Sequence, residues 1–138
     1  MPVAEKEKES PATDAMFMYA CEINGSRRIP LGYILTNKLT AAEMRQLYSA
    51  SMAKLSETGA HIINITFDGL KTNIAAAQAL GANLDPLSDS FNPFLINLAN
   101  GSKVMAFPDP IHMFKLLRNA WKHYKFFVDA KGRVKRWT

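Results

Sequence analysis

A single cysteine, Cys21, is the only thiol in this chain. One thiol excludes an internal disulfide and any zinc cluster built on paired cysteines. The expectation for Cys21 is a small buried hydrophobe on a strand. No run of residues approaches the roughly 18 apolar positions that a membrane span requires. The stretch from Met1 to Asp14 is polar and proline-containing and holds no apolar signal core, so the product is expected to stay inside the cell, with no membrane partner. There is no Gly-rich phosphate loop, no metal-spaced Cys/His set and no nucleophile elbow. No internal repeat is visible.

What is present fits one small α/β domain. The chain has 138 residues, 48% hydrophobic and 21% charged, which is ordinary globular composition and enough length to bury a core. The net charge of +5 is unevenly placed. From Lys103 to Thr138 there are nine Lys/Arg against two acids, Asp109 and Asp129, leaving eight basic and ten acidic residues in all that precedes. A basic C-terminal third points to a polyanionic partner, with nucleic acid the first choice. A solvated tail that only aids solubility is the plainer reading.

Residues 1–13, with Glu5-Lys6-Glu7-Lys8-Glu9 between prolines, read as a disordered lead. From Ala15 to Ile23, Phe17, Tyr19, Cys21 and Ile23 alternate with Met18, Ala20 and Glu22, a strand pattern. Asn24-Gly25-Ser26 supplies a turn, and Ile29 to Leu35 forms the return strand of an antiparallel hairpin. Thr40-Ala41-Ala42-Glu43 is a capping box, opening a helix expected to end at Gly59 with Met44, Leu47, Tyr48, Ser51 and Leu55 inward. His61 to Phe67 reads as a third strand, apolar on both faces and so an inner strand of a covered sheet. A short helix, Lys71 to Leu80, closes at Gly81. Residues 82–101 are rich in breakers and read as a loop that packs down. Lys103 to Phe107 makes a fourth strand. Asp109 then caps a last helix with Pro110 at its start. Along that helix Ile111, Phe114, Leu117, Trp121 and Tyr124 should face the core, with Lys115, Arg118, Lys122 and Lys125 opposite. The stretch Lys131-Gly132-Arg133-Val134-Lys135-Arg136 should be an exposed basic tail, assigned to residues 128–138.

Asp68 is the strongest site candidate. It follows an apolar strand and precedes a glycine, and an acid at the open end of a strand can hold Mg²⁺ through one oxygen, leaving most of the shell to water and phosphate. The competing role is a cap for the helix that begins near Leu70. One aspartate cannot make a two-metal centre, which needs several carboxylates around ions about 4 Å apart. Asp109 and His112 form a second pair across a helix start, where Asp109 also reads as a cap and His112 as a half-buried polar residue. His61 and His123 stand alone and are assigned nothing.

Two motifs carry a family resemblance. Ile65-Thr66-Phe67-Asp68-Gly69-Leu70-Lys71-Thr72-Asn73 resembles the T-x-D-G-x-x-x-N stretch in the RNase H-like domain of P-element-type transposases, the THAP-domain-containing relatives among them. Asp109-Pro110-Ile111-His112-Met113-Phe114-Lys115-Leu116-Leu117-Arg118-Asn119 resembles their D-P-x-H-x-x-K-L-x-R-N motif. Ile29-Pro30-Leu31-Gly32-Tyr33-Ile34 is similar to their P-x-G-Y-F strand. The resemblance spans residues 12–127 and implies a nuclear DNA transposase domain in which three acids hold Mg²⁺ for strand cleavage and transfer. Asp68 matches the second acid. Asp109, His112, Lys115, Arg118 and Asn119 match the helix motif, with structural or DNA-proximal roles implied.

The chain also departs from that pattern. The fold class expected is a partial RNase H-like α/β domain, over residues 14–127, with a mixed sheet and flanking helices but without the first strand that would carry the first acid. The later glutamate and the GTP-binding insertion of the family have no counterpart. A chain with one of three acids is expected to be a truncated transposase domain, inactive by itself. Lys122, Lys125, Lys131, Arg133, Lys135 and Arg136 are the nucleic-acid contacts expected if it is instead a domesticated DNA-binding module. A third reading is an interaction fragment whose sheet edges pair with a full-length transposase. With a central strand missing, the two sheet halves either close directly on each other or leave a slot for a strand from elsewhere.

Overall fold

The computed structural model describes residues 11–136. The charged part of the expected N-terminal lead lies outside these residues. The chain opens with β1 (Asp14–Cys21) and β2 (Arg28–Thr36), paired antiparallel across a bend at residues 23–25. Their register places Phe17 opposite Tyr33, and the two rings meet at 5.8 Å. The pairing shifts between Met18 and Tyr19, opposite Gly32 and Pro30, because proline has no amide for the ladder. Cys21 is exposed, which corrects the buried placement expected of it. It lies on the outward face of a two-stranded sheet, with Phe17, Tyr19 and Leu35 also uncovered.

The first helix, α1 (Ala41–Glu57), starts as its capping box dictates. Thr40 Oγ1 accepts from the Glu43 amide at 3.3 Å, and Glu43 Oε2 accepts from the Thr40 amide at 2.8 Å. The Thr40 amide first, and then the Thr40 hydroxyl, which donates to the same oxygen at 2.7 Å, hold the Glu43 carboxyl below its usual value. Gly59, at φ 78°, takes the left-handed conformation that ends the turn. The inward stripe is Met44, Tyr48 and Met52, with Leu47, Ser51 and Leu55 half-buried at its flank. Met52 is the member of that stripe not anticipated.

A three-stranded mixed sheet follows, in the order β3 (Asn64–Phe67), β5 (Lys103–Pro108), β4 (Phe94–Ile96). β3 runs parallel to β5, and β4 antiparallel to it. Between β3 and β4 lies α2 (Lys71–Gln78), closed at Gly81 with φ 104°. Two expectations change here. The central strand is β5, and β3 is an edge strand with Ile63 just before it 47% exposed, because among the described residues no strand pairs on its far side. Residues 82–101, read as loop, contain β4. Their asparagines do locally what a ladder does elsewhere: Asn92 Nδ2 donates to the carbonyls of Gly81 and Phe94 at 2.7 and 3.0 Å. Asn83 and Asn92 also form a β-bridge. The core is small, with Leu95 and Val104 of the sheet and Ala76 and Ala77 of α2 wholly buried in one cluster with Met44, Tyr48 and Met52 of α1.

The hairpin and this sheet remain separate, so β1 and β3 are not hydrogen-bonded to each other. Direct closure of the two halves does not occur. Both are nonetheless tied to α1: Met16 packs against the core, Met18 Sδ lies 3.0 Å from Ser51 Oγ, and Tyr48 stacks on Phe67 at 6.0 Å.

The last helix, α3 (Pro110–Tyr124), carries no buried residue. Ile111, Phe114, Leu117 and Tyr124 are between 58% and 70% exposed, against the expectation that this stripe faces the core. Trp121 is half-buried, where its ring meets Phe127 edge-on at 4.8 Å. The periodicity is amphipathic as read, but no described element lies over the apolar side. The stretch after it is exposed, as expected of the basic tail, and forms a short hairpin, β6 (Phe126–Val128) with β7 (Val134–Arg136).

Candidate functional site

Asp68 follows the last residue of β3, and Asp109 follows the last residue of β5. The two strands are parallel and Phe67 is in register with Pro108, so both acids emerge at the same end of adjacent strands. The Asp109 amide donates to the Phe67 carbonyl at 2.8 Å, fixing that arrangement. Each acid is followed by a helix. Gly69 packs close to α3 at this junction: a Cβ there would meet the flexible end of Met113 and approach Leu116.

Asp68 is half-buried and its Oδ1 accepts twice, from the Leu70 amide at 3.1 Å and from Asn73 Nδ2 at 2.6 Å. The first is a local turn of the kind aspartate favours. The residue at the N-cap of α2 is Leu70, which makes no side-chain cap bond, so Asp68 is not the cap of that helix. Asn73 is buried and receives the hydroxyl of Tyr48 on its Oδ1 at 2.9 Å. Burial, and then the nearby charge of Asp68, push the Tyr48 phenol well above its usual value, so it stays a protonated donor. Tyr48 read as plain core from its helical spacing. The available signal was polar: a hydroxyl on a buried stripe needs a partner, and Asn73 stands inside the first motif.

Asp109 caps α3 as expected, its Oδ1 accepting from the Ile111 amide at 2.9 Å with Pro110 next. His112 is half-buried, while Lys115, Arg118 and Asn119 lie exposed along the helix, Arg118 Nη2 donating to Asn119 Oδ1 at 3.2 Å. None of these side chains joins Asp68 through a hydrogen bond among the described residues.

Lys122, Lys125, Lys131, Arg133, Lys135 and Arg136 are all exposed and share the end of the molecule formed by the close of α3 and the β6–β7 hairpin. Lys125 ends the helix with φ 66°, a left-handed conformation that turns the chain into β6. Two open depressions lie here, one against Lys125, Phe126, Val134 and Arg136, the other against Asn119, Lys122, His123 and Lys125. Arg133 is engaged: its Nε pairs with Asp129 Oδ2 at 2.6 Å across the turn.

The chemistry Asp68 can support is that of a single carboxylate ligand. Both bonds it accepts fall on Oδ1, so Oδ2 fits one position in the shell of a Mg²⁺ ion otherwise held by water and phosphate. The described residues contain no group of three or more His, Cys, Asp or Glu able to hold a metal ion. The residues present therefore fit one ligand of an ion, not a two-ion centre.

Comparison with known proteins places this chain in a family. The model of the TNP-like RNase H N-terminal domain matches residues 2–81, and the chain belongs to that family. The human protein DNA transposase THAP9 is 29% identical over 125 residues, covering 90% of this chain. The chain spans 14% of that protein's length. No solved structure matches significantly. Both findings support the resemblance carried by the Asp68 motif to P-element-type transposases. The Asp109 motif lies beyond the stretch that the family model covers. No described helix is long and apolar enough to cross a membrane.

Proposed function

We propose that this chain is part of the Mg²⁺-dependent strand-cleavage and strand-transfer domain of a P-element-type DNA transposase, acting on DNA in the nucleus. Asp68 is its metal-binding acid. The observation that carries this reading is the position of Asp68 at the C-terminal end of a strand parallel to β5, inside the family-matched stretch and with one carboxylate oxygen left for a cation. Mg²⁺ there would polarise a phosphate oxygen and stabilise charge developing on it. One carboxylate neither fixes two ions nor aligns an attacking water, so this polypeptide does not cut DNA unaided. Asp109, His112, Lys115, Arg118 and Asn119 act as frame and DNA-proximal surface. The basic end, from Lys122 to Arg136, contributes phosphate contacts. No GTP site is proposed.

The test combines nicking and binding. Supercoiled DNA with Mg²⁺ or Mn²⁺ should stay intact with the chain alone, and nicking that Asp68→Ala abolishes would overturn the claim of inactivity. Gel-shift binding should fall about a thousandfold from 50 to 200 mM salt if about six phosphates are contacted. Binding that survives removal of residues 125–138 unchanged would overturn the role of the basic end. DNA binding by the native chain that is lost on that removal, with no trace of metal dependence at Asp68, would leave a non-catalytic DNA-binding module.

The unpaired edges of β1 and β3 favour a second reading, in which the chain pairs by strand addition with a full-length transposase. Co-purification of the two, abolished by a proline placed within β3, tests it. A complex that survives the proline rules out pairing through that edge.

A further inference from the structure

Asp68 is gripped from α1 in two ways. Tyr48 stacks its ring on Phe67, the residue immediately before the acid, with centroids 6.0 Å apart and planes 19° from parallel. Its hydroxyl also donates to Asn73 Oδ1, and Asn73 Nδ2 donates to Asp68 Oδ1. Tyr48 and Asn73 are 4% and 7% exposed, so this is a relay through the core to a half-buried carboxylate. The direction of the relay is fixed by chemistry. An ionised carboxylate only accepts, so the amide must turn its NH₂ toward Asp68 and its oxygen toward Tyr48, which must then donate.

Packing alone does not ask for this arrangement. An apolar pair of the same shape would fill the space without desolvating a hydroxyl and an amide. Metal-binding carboxylates, by contrast, are themselves held by hydrogen bonds that set their orientation. We infer that Tyr48 and Asn73 are positioning residues: the relay commits Asp68 Oδ1 to the protein and keeps Oδ2 for a divalent cation. The inference rests on the reading of Asp68 as a metal ligand.

The experiment uses the whole chain, ¹⁵N-labelled, with Mn²⁺ alone as a paramagnetic probe. Mn²⁺ should broaden the amide resonances of Asp68, Gly69 and Leu70, and Asp68→Asn should remove that broadening. Tyr48→Phe and Asn73→Ala should each weaken apparent Mn²⁺ affinity about tenfold, while the amides of Leu95 and Val104 keep their positions. A purely structural role predicts lower stability with unchanged Mn²⁺ affinity in the folded protein. That result overturns the positioning inference and leaves the metal reading standing. Broadening that persists in Asp68→Asn overturns the metal reading, and the inference with it. If Asn73→Ala does not fold, Tyr48→Phe decides, since it keeps the ring and its stack on Phe67.

Discussion

The amide of Asp109 donates to the carbonyl of Phe67 at 2.8 Å. This bond ends the parallel ladder between β3 and β5 and joins two motifs far apart in the chain. It sets the residue after each strand beside the other, each about to enter a helix. A change at either position should therefore be felt at the other through the backbone, without contact between the two carboxylates.

Asp109→Ala should destabilise the domain by about 1 kcal/mol, the usual cost of losing an N-cap. The lost bond is the one to the Ile111 amide, and Pro110 still starts the helix. Urea denaturation measures the change, and an unaltered midpoint would mean that the cap contributes nothing.

Leu95→Ala removes the side chain of a wholly buried residue on β4. Large-to-small changes at such sites cost about 2–5 kcal/mol, a large share of the roughly 5–15 kcal/mol that holds a domain together. The variant should unfold at clearly lower urea or fail to fold.

Phe114→Gln and Leu117→Gln lie on the uncovered side of α3, where the side chains are 70% and 58% exposed. Stability should move by no more than about 0.5 kcal/mol, and solubility should rise. A loss above about 1 kcal/mol in thermal unfolding would mean that this stripe is covered in solution.

The β6–β7 turn should be sensitive to acid. Asp129 accepts from the amides of Arg133 and Lys131, each at 2.9 Å, and from Arg133 Nε at 2.6 Å. These bonds, the Arg133 amide first, hold its carboxyl below the usual value. A depressed carboxylate stabilises above its unfolded pKa of about 3.9, and the contribution is lost as pH falls through the folded value. The Arg133 and Lys131 amide resonances should shift together below about pH 4, and Asp129→Asn should flatten that response.

Tyr48 predicts the opposite limb. Its phenol is raised by burial and by the charge of Asp68. Its stabilisation is whole below the unfolded tyrosine value of about 10 and is lost as pH rises above it. Denaturant midpoints measured from pH 8 to 11 should fall at the alkaline end for the native chain and fall less for Tyr48→Phe.

Local signals suffice where the chemistry is local. The capping box at Thr40 and Glu43, the cap at Asp109 with Pro110, and the glycines after α1 and α2 each involve groups within a few residues, so spacing suffices. The antiparallel hairpin follows from alternation and a turn, while the shift in its register at Met18 and Tyr19 does not. Residues 94–96 do not read as a strand, because three residues between a proline and an asparagine carry no period. The apolar stripe of α3 reads as core because periodicity gives a face and not what covers it.

The sequence by itself determined the three helices, the first hairpin and the strands that lead to Asp68 and Asp109, and carried the motifs behind the family resemblance. Tertiary structure alone decided that β5 is central and β3 an edge, and that the hairpin stays a separate sheet. It also decided that a tyrosine on α1 reaches Asp68 through Asn73. The physical reason is range. Caps, turns and alternation are settled by neighbours along the chain, whereas strand order and a relay from Tyr48 to Asp68 depend on which distant surfaces meet.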